Sequence, residues 1–263
     1  MHNEIKPYLP IINPLAVNLL NKADAIISVS KYLKKSILKK YPQVDPSKVY
    51  VLYNGSDVER FRPRNEEKLV NIRKRYGISA NTNVILYVGR LIPEKGVHLL
   101  VNSFPFIKKD YNNVKLLIVG APNFAVASET AYAHLLKANA DKDVIFTGWI
   151  PEDILPYMYS LSDIFVFPAI WNDVSPLPIY EAQASGLPVI SSNRGGIPEI
   201  IINNETGIII EPNVKNLTDA VLALLHDESK RKKMGVNARK RAEEYYSWDR
   251  VATELQKIYR DIL

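Results

Sequence analysis

VILYVGRLIPEKG, residues 84–96, is the stretch on which the fold turns. Its first six residues are a short apolar run without alternation, the mark of a strand buried on both faces in a parallel sheet. The run ends in Gly89-Arg90, a short loop follows, and Lys95-Gly96 opens a helix-like segment. In an open α/β sheet, ligands bind outside the carboxyl ends of the strands. Gly89 lets a ligand approach the backbone. Arg90 and Lys95 place two cations at the same mouth, and the helix N-terminus adds its dipole. This suits a diphosphate, which Arg meets bidentately and Lys as a point charge. A surface loop with two solvated cations is the competing reading.

The same signature recurs along the chain. AIISV (25–29), VYVLY (49–53), VKLLIVG (114–120), VIFTG (144–148), DIFVFP (163–168), LPVISS (187–192) and TGIIIE (206–211) are further continuous apolar runs. Helix-like segments separate them, among them KYLKKSILKKY, KGVHLLVNSFPFIKK, TAYAHLLKANA and NLTDAVLALLH. Strand–helix alternation of this kind predicts an α/β fold with a doubly wound parallel sheet. The tail from 228 reads as helical with one interruption near Tyr246. Ser247 is placed there to cap a last helix.

Composition narrows the function classes. The chain has 263 residues, a 47% apolar fraction and no Cys. That supports one or two domains with an ordinary core and excludes disulfides, thiolate metal sites and a Cys nucleophile. The net charge of +6 is mildly basic and compatible with phosphates or an acidic membrane surface. No long basic block points to nucleic acid. The first twenty residues hold three prolines and no apolar run long enough for a signal peptide or a membrane span. The expectation is a cytoplasmic protein, with peripheral contact at the inner face of a membrane as an option. KYLKKSILKKY carries that option: Lys31, Lys34, Lys35, Lys39 and Lys40 lie on or near one side of a helix, for docking to lipid or simply for solvation.

A boundary falls at YNGSDVERFRPRNEEK (53–68), where a turn dipeptide precedes charged, Pro-containing sequence. The reading assigns 1–56 to the end of a domain whose beginning is missing, 57–245 to the main lobe, and 246–263 to a C-terminal helix. A piece of about fifty residues is borderline as a domain.

Two more stretches carry chemistry. In SSNRGGIPEII (191–201) a strand ends in Gly195-Gly196, with Pro198 near a helix start. Amides in such a turn can hold a phosphate, and a plain strand–helix turn is the alternative. In WNDVSPLPIYEAQASG (171–186), Asp173 stands in a proline-broken loop after a buried strand. Glu181 is placed in the first turn of the next helix, where the dipole favours a carboxylate. Asp173 is either a ligand-facing group or an ordinary loop acid. No GxGxxG and no GxxxxGK[ST] occurs.

Together and in this order the motifs resemble the retaining glycosyltransferases of family 4, the group 1 glycosyltransferases of GT-B fold. VLYNGSDVERFRP looks like the interlobe hinge, ILYVGRLIPEKGVHLLVNSF the first strand–loop–helix of the donor lobe, and VIFTGWIP the nucleotide-base loop. Asp173 to Glu181 matches the family's acid–x7–acid signature, and SWDRVATELQKIYRDIL the helices that cross back to the first lobe. YEAQASGLPVISSNRGG is similar to spore-coat and cell-surface members.

The resemblance implies a Rossmann-like donor lobe beside the remnant of a second Rossmann-like lobe. It implies transfer of a hexose from a UDP- or GDP-sugar to a glycan, lipid or protein acceptor, in cell-envelope glycan synthesis, with retention of configuration. By the same resemblance Arg90 and Lys95 neutralise the departing diphosphate at Gly89, and Glu181 holds the ribose hydroxyls. Asp173 faces the donor sugar. Amides around Ser175, Pro176 and Leu177 contact the sugar or distal phosphate, and Trp149 and Ile150 hold the base. No metal and no other cofactor is implied. Asp141-Lys142-Asp143 has a DxD form, but it sits before a strand, at the wrong end of the sheet, and reads as loop acids. His2 is either the remnant of the family's active-site His or a fortuitous His. His98, His134 and His226 read as structural or exposed. Two departures stand out: Asp173 where the family usually has Glu, and Pro176 where Gly is frequent, which removes an amide but stiffens the loop. A partner that completes the first lobe is the alternative to activity of this chain alone.

Overall fold

Each of the apolar runs becomes a strand, and the strands divide between two parallel sheets. The computed structural model describes residues 12–122 and 130–263. The first sheet is small. Helix α1 (Ile12–Lys22) leads to β1 (Ile26–Ser28), α2 (Lys31–Lys40) and β2 (Val49–Val51). The two strands pair with Ile26 opposite Val49. Ser30 caps α2, its Oγ accepting the Leu33 amide at 3.1 Å. Among the described residues the buried apolar centre of this unit is Tyr41, Val44 and Val49, with Val17, Leu20, Ile26 and Ile37 partly buried against it.

The second sheet holds the main core. In chain order come α3 (Glu67–Arg75), β3 (Asn83–Val88), α4 (Val97–Asp110), β4 (Val114–Val119), α5 (Ala131–Ala138) and β5 (Val144–Gly148). Then follow α6 (Leu155–Ser160), β6 (Ile164–Phe167), α7 (Leu177–Ala184), β7 (Val189–Ser192), α8 (Ile197–Ile200) and β8 (Gly207–Ile210). The spatial order is β5-β4-β3-β6-β7-β8, all parallel. Val84, Ile85, Leu86 and Tyr87 are each fully buried, so both faces of β3 are covered, as the lack of alternation predicts. Helix α4 shows why: Val97, Leu100, Val101, Phe104 and Ile107 recur at helical spacing and are all buried. Winding runs outward from β3 to β5 and then restarts at β6 on the other side. The order therefore reverses between β3 and β6, and a crevice opens at their carboxyl ends.

Helices α9 (Val214–His226), α10 (Glu228–Tyr245) and α11 (Trp248–Ile262) close the chain. Ser247 opens α11 as expected, its Oγ accepting the Arg250 amide at 3.3 Å. Helix α11 returns to the first sheet: its Val251 and Ile258 face Tyr50 and Tyr53 across a concavity of about 450 Å³.

The DxD-like acids behave as loop residues. Asp143 pairs with Lys108 at 2.7 Å and Lys115 at 3.5 Å, at the amino end of β5. The Lys108 hydrogen bond holds its carboxyl below the usual range. The lysine face of α2 is narrower than the sequence indicates. Lys34 turns inward, its Nζ donating to Val49 O at 2.6 Å, and leaves Lys31, Lys35 and Lys39 exposed. Among the described residues no helix is long and apolar enough to cross a membrane.

Candidate active site at the sheet reversal

Two loops meet at the reversal, one after β3 and one after β6. The β3 loop is fixed from beneath: the Tyr87 hydroxyl donates to Arg90 O at 2.9 Å. Arg90 itself is exposed. The loop ends at Gly96, which has φ 70°. A Cβ there would lie 1.9 Å from Pro168 O, so only glycine lets the start of α4 lie against the end of β6. Ile170 and Trp171 then donate their amides to Glu94 O at 3.1 and 3.3 Å.

This contact joins residues that are 78 positions apart: Lys95 Nζ donates to Asp173 Oδ2. Lys95 also lies 5.3 Å over the Phe167 ring, a cation–π contact. An ammonium has three protons, so two remain for another acceptor. The sequence reading gives Lys95 and Asp173 separate tasks, and the structure makes them an ion pair. The shorter acid still meets the cation, because the close approach of the loops brings Asp173 to Lys95.

The Gly195-Gly196 turn is not a phosphate cradle. Gly195 N–H donates to Asn172 Oδ1 at 3.1 Å, and Gly196 N–H donates to Asp173 O at 2.8 Å. Gly195 has φ 58°, and a Cβ there would sit 2.1 Å from Asp173 O. Both amides that the sequence offers to an anion are thus taken by the loop that carries Asp173. Asp173 is buried, held by Lys95 and by this turn.

Glu181 also corrects its expected place. Helix α7 begins at Leu177 and has no acid in its first turn, so Glu181 lies in the second. The dipole's benefit has faded there. Tyr159, from α6, donates its hydroxyl to Glu181 Oε2 at 2.6 Å. Burial pushes the Glu181 carboxyl up, and the Tyr159 bond and the Arg60 charge only partly offset it. Burial also raises the Tyr159 hydroxyl well above its ordinary value.

Pro176 stands at the N-cap of α7 with φ −72° and Pro178 follows inside the helix, so the Leu177 amide is the main donor at this helix start. Leu177 is itself exposed. Ser175 is buried, its Oγ 2.8 Å from the Tyr180 hydroxyl. Trp149 is exposed and Ile150 half-buried, both just beyond β5. The strand order puts them at the sheet edge, two strands from Gly89 and Arg90. His2 lies outside the described residues. His98 is half-buried against the Tyr132 hydroxyl at 3.0 Å, and burial lowers its pKa. His134 and His226 are exposed.

Three residues enter that sequence reasoning does not mark. Tyr159 orients Glu181. Glu199 accepts the Lys31 and Tyr32 amides, each at 2.7 Å, and the Tyr53 hydroxyl at 3.0 Å, so it fastens α2 to the large sheet. Asn54 donates to Ser175 O and Oγ at 3.2 and 3.1 Å. All three act across long sequence distances, and their neighbours in the chain give no sign of it. Among the described residues no group of three or more His, Asp or Glu is placed to hold a metal ion.

A parallel sheet in this order, with a small parallel sheet beside it and cations at the reversal, defines a Rossmann-like lobe of the GT-B class. The chain belongs to the Glycosyl transferases group 1 family, which matches residues 70–241, and Glycosyltransferase Family 4 matches residues 1–60. It is 30% identical over 272 residues to YtcC of Bacillus subtilis, covering 100% of this chain and 66% of YtcC. To spore coat protein SA of the same organism it is 31% identical over 268 residues, covering 98% of this chain and 71% of that protein. In fold it matches Anabaena Alr3699/HepE in complex with UDP and glucose, with a TM-score of 0.81 at 23% identity, covering 100% of this chain and 70% of that one. The chain thus spans about two thirds of the length of these relatives.

Proposed function

We propose that this chain binds a nucleotide-diphosphate sugar at the β3–β6 reversal and transfers the sugar, with retention of configuration, to a glycan, lipid or protein acceptor. The observation that carries the reading is the convergence there of Arg90, Lys95 and Asp173. Arg90 is free to meet the diphosphate bidentately, and Lys95 keeps two protons for it. Their charge would stabilise the diphosphate as it leaves, an electrostatic contribution. Asp173, behind Lys95, would face the sugar and its developing positive charge. Glu181 would hold the ribose, with Trp149 and Ile150 at the base. Attack from the face the nucleotide leaves retains configuration, and the departing diphosphate oxygen takes the acceptor's proton. Because two side-chain cations already serve the diphosphate, we expect EDTA to leave transfer unchanged. UDP is the first nucleotide to try, since a structural neighbour holds UDP and glucose.

Calorimetric titration with UDP, GDP and UDP-glucose tests the site. Binding in the micromolar to low millimolar range is expected, and none at millimolar concentration sinks the reading. A second reading rests on the small buried cluster that the described residues give the first sheet: a donor-binding lobe that turns over only with a separate chain completing that sheet. Turnover by the purified protein excludes it.

A further inference from the structure

The loop carrying Asp173 is gripped from two sides. On one side Gly195, Gly196 and Glu94 hold it through the bonds described above. On the other side stands Asn54, from the segment that joins the two sheets, 121 residues away in sequence. Its side chain points nitrogen-first at Ser175, because Ser175 O can only accept. The same nitrogen reaches Ser175 Oγ, which is itself bonded to the Tyr180 hydroxyl of α7. Pro176 comes next and has no N–H, so the backbone offers no donor of its own there.

The segment around Asn54 is itself rigidly placed. Tyr53 before it donates to Glu199 Oε2 at 3.0 Å. Ser56 after it donates its amide to Tyr246 O at 2.7 Å. Gly55 lies so close to Trp248 that a Cβ would come within 2.9 Å of the indole. A side chain held at both flanks, with two hydrogen bonds to one loop residue, is placed to set that loop's position.

We propose that Asn54 is a positioning residue for the sugar-facing loop, fixing Ser175, and through it Asp173 and the Leu177 amide, relative to the first sheet. This rests on the proposed function for its ligand, but the fastening itself is read independently. A link between the sheets would thereby set the geometry at the sugar, while Arg90, on the other loop, is outside this chain of bonds and Lys95 meets it only through its pair with Asp173.

The test uses the full chain and three variants. Asn54→Asp keeps the shape and removes the donor. Asn54→Gln keeps an amide donor, and Asn54→Ala serves if the half-buried carboxylate prevents folding. Amide hydrogen exchange over 172–177 and titrations with UDP and UDP-glucose are compared. Each net hydrogen bond is worth about fivefold in an equilibrium. Exchange at the loop should therefore rise about five- to twentyfold in Asn54→Asp and Asn54→Ala, with strand β3 unchanged. UDP affinity should stay within about twofold, while the added affinity of UDP-glucose over UDP falls by about fivefold. Asn54→Gln should recover part of both. Unchanged loop exchange in folded Asn54→Ala and Asn54→Asp overturns the proposal. Equal loss for UDP and UDP-glucose also overturns it, because a general packing role predicts that. Failure of the wild type to bind UDP overturns the proposed function and with it the sugar-facing role; exchange still decides whether Asn54 fastens the loop.

Discussion

Gly89-Arg90 after β3 and Arg194-Gly195-Gly196 after β7 follow buried parallel strands in the same manner, each with glycine and arginine at a carboxyl end. In the first, the Gly89 amide is bonded to Val119 O at 3.0 Å, while Arg90 is exposed and outside the ion pairs of the described residues. In the second, the Arg194 guanidinium is bound by Glu211, which also accepts from Asn193 at 2.8 Å. The glycine amides there are bonded to Asn172 and Asp173. Position in the sheet separates the two. The first turn sits at the reversal, where the crevice exists, and the second lies one strand beyond it, where the neighbouring loop already fills the space. The backbone amides are taken in both turns, and what separates their chemistry is the arginine side chain, free at Arg90 and bound to Glu211 at Arg194.

That contrast breaks first at Gly195. Gly195→Ala puts a methyl against Asp173 O in a left-handed backbone, which should cost about 3 kcal/mol or more from strain and clash. A melting temperature lower by about 6–12 °C is expected. A wild-type melt would show that the turn is not the strut described here. Next, Arg90→Ala should weaken UDP binding by about 10–100-fold, the worth of a charged hydrogen bond of about 1.5–3 kcal/mol, without lowering the melting temperature. Arg194→Ala should leave UDP affinity within about twofold. Reversed outcomes would exchange the roles of the two turns.

Glu181 sharpens the comparison from the acid side. Its pKa is raised in the fold by burial. The folded form therefore holds its proton more tightly than the unfolded chain, and stability falls as pH rises from the unfolded value through the folded one. Glu181→Gln, which can still accept from Tyr159, should stabilise the protein at pH 7 by about 0.5–2 kcal/mol and weaken nucleotide binding. The gain should vanish below about pH 4. A gain independent of pH would remove the carboxylate as its cause. The smallest effect is expected at Asp143, whose pKa is lowered by Lys108. Its contribution is present above the unfolded pKa and fades as pH falls. Asp143→Asn should cost about 0.2–1 kcal/mol at neutral pH and leave UDP binding alone.

Much of this site is legible from residues alone. Arg90, Lys95 and Asp173 could be picked out because each follows a continuous apolar run, and a buried parallel strand delivers its next residues to the sheet's carboxyl edge. The Ser247 cap and the loop character of the DxD-like acids follow from local chemistry as well. Glu181 is misplaced by a turn because Pro176 and Pro178 both fit a helix start, and the sequence does not say which residue begins the helix. Tyr159 looks like any aromatic of an apolar helix, and Asn54 like half of a turn dipeptide. Their roles depend on groups 22 and 121 residues away.

The sequence by itself determined the strands, the helices between them, the chain order of the motifs and the charges each strand end carries, because hydrophobic period and capping are local. Only the tertiary structure decided which strand ends touch. β3 lies beside β6, and that neighbourhood pairs Lys95 with Asp173 and gives the Gly195-Gly196 amides to the loop. It also lets Asn54 reach across from the other sheet. Right-handed crossovers and the restart of winding after β5 set that order, and no residue within a single strand records it.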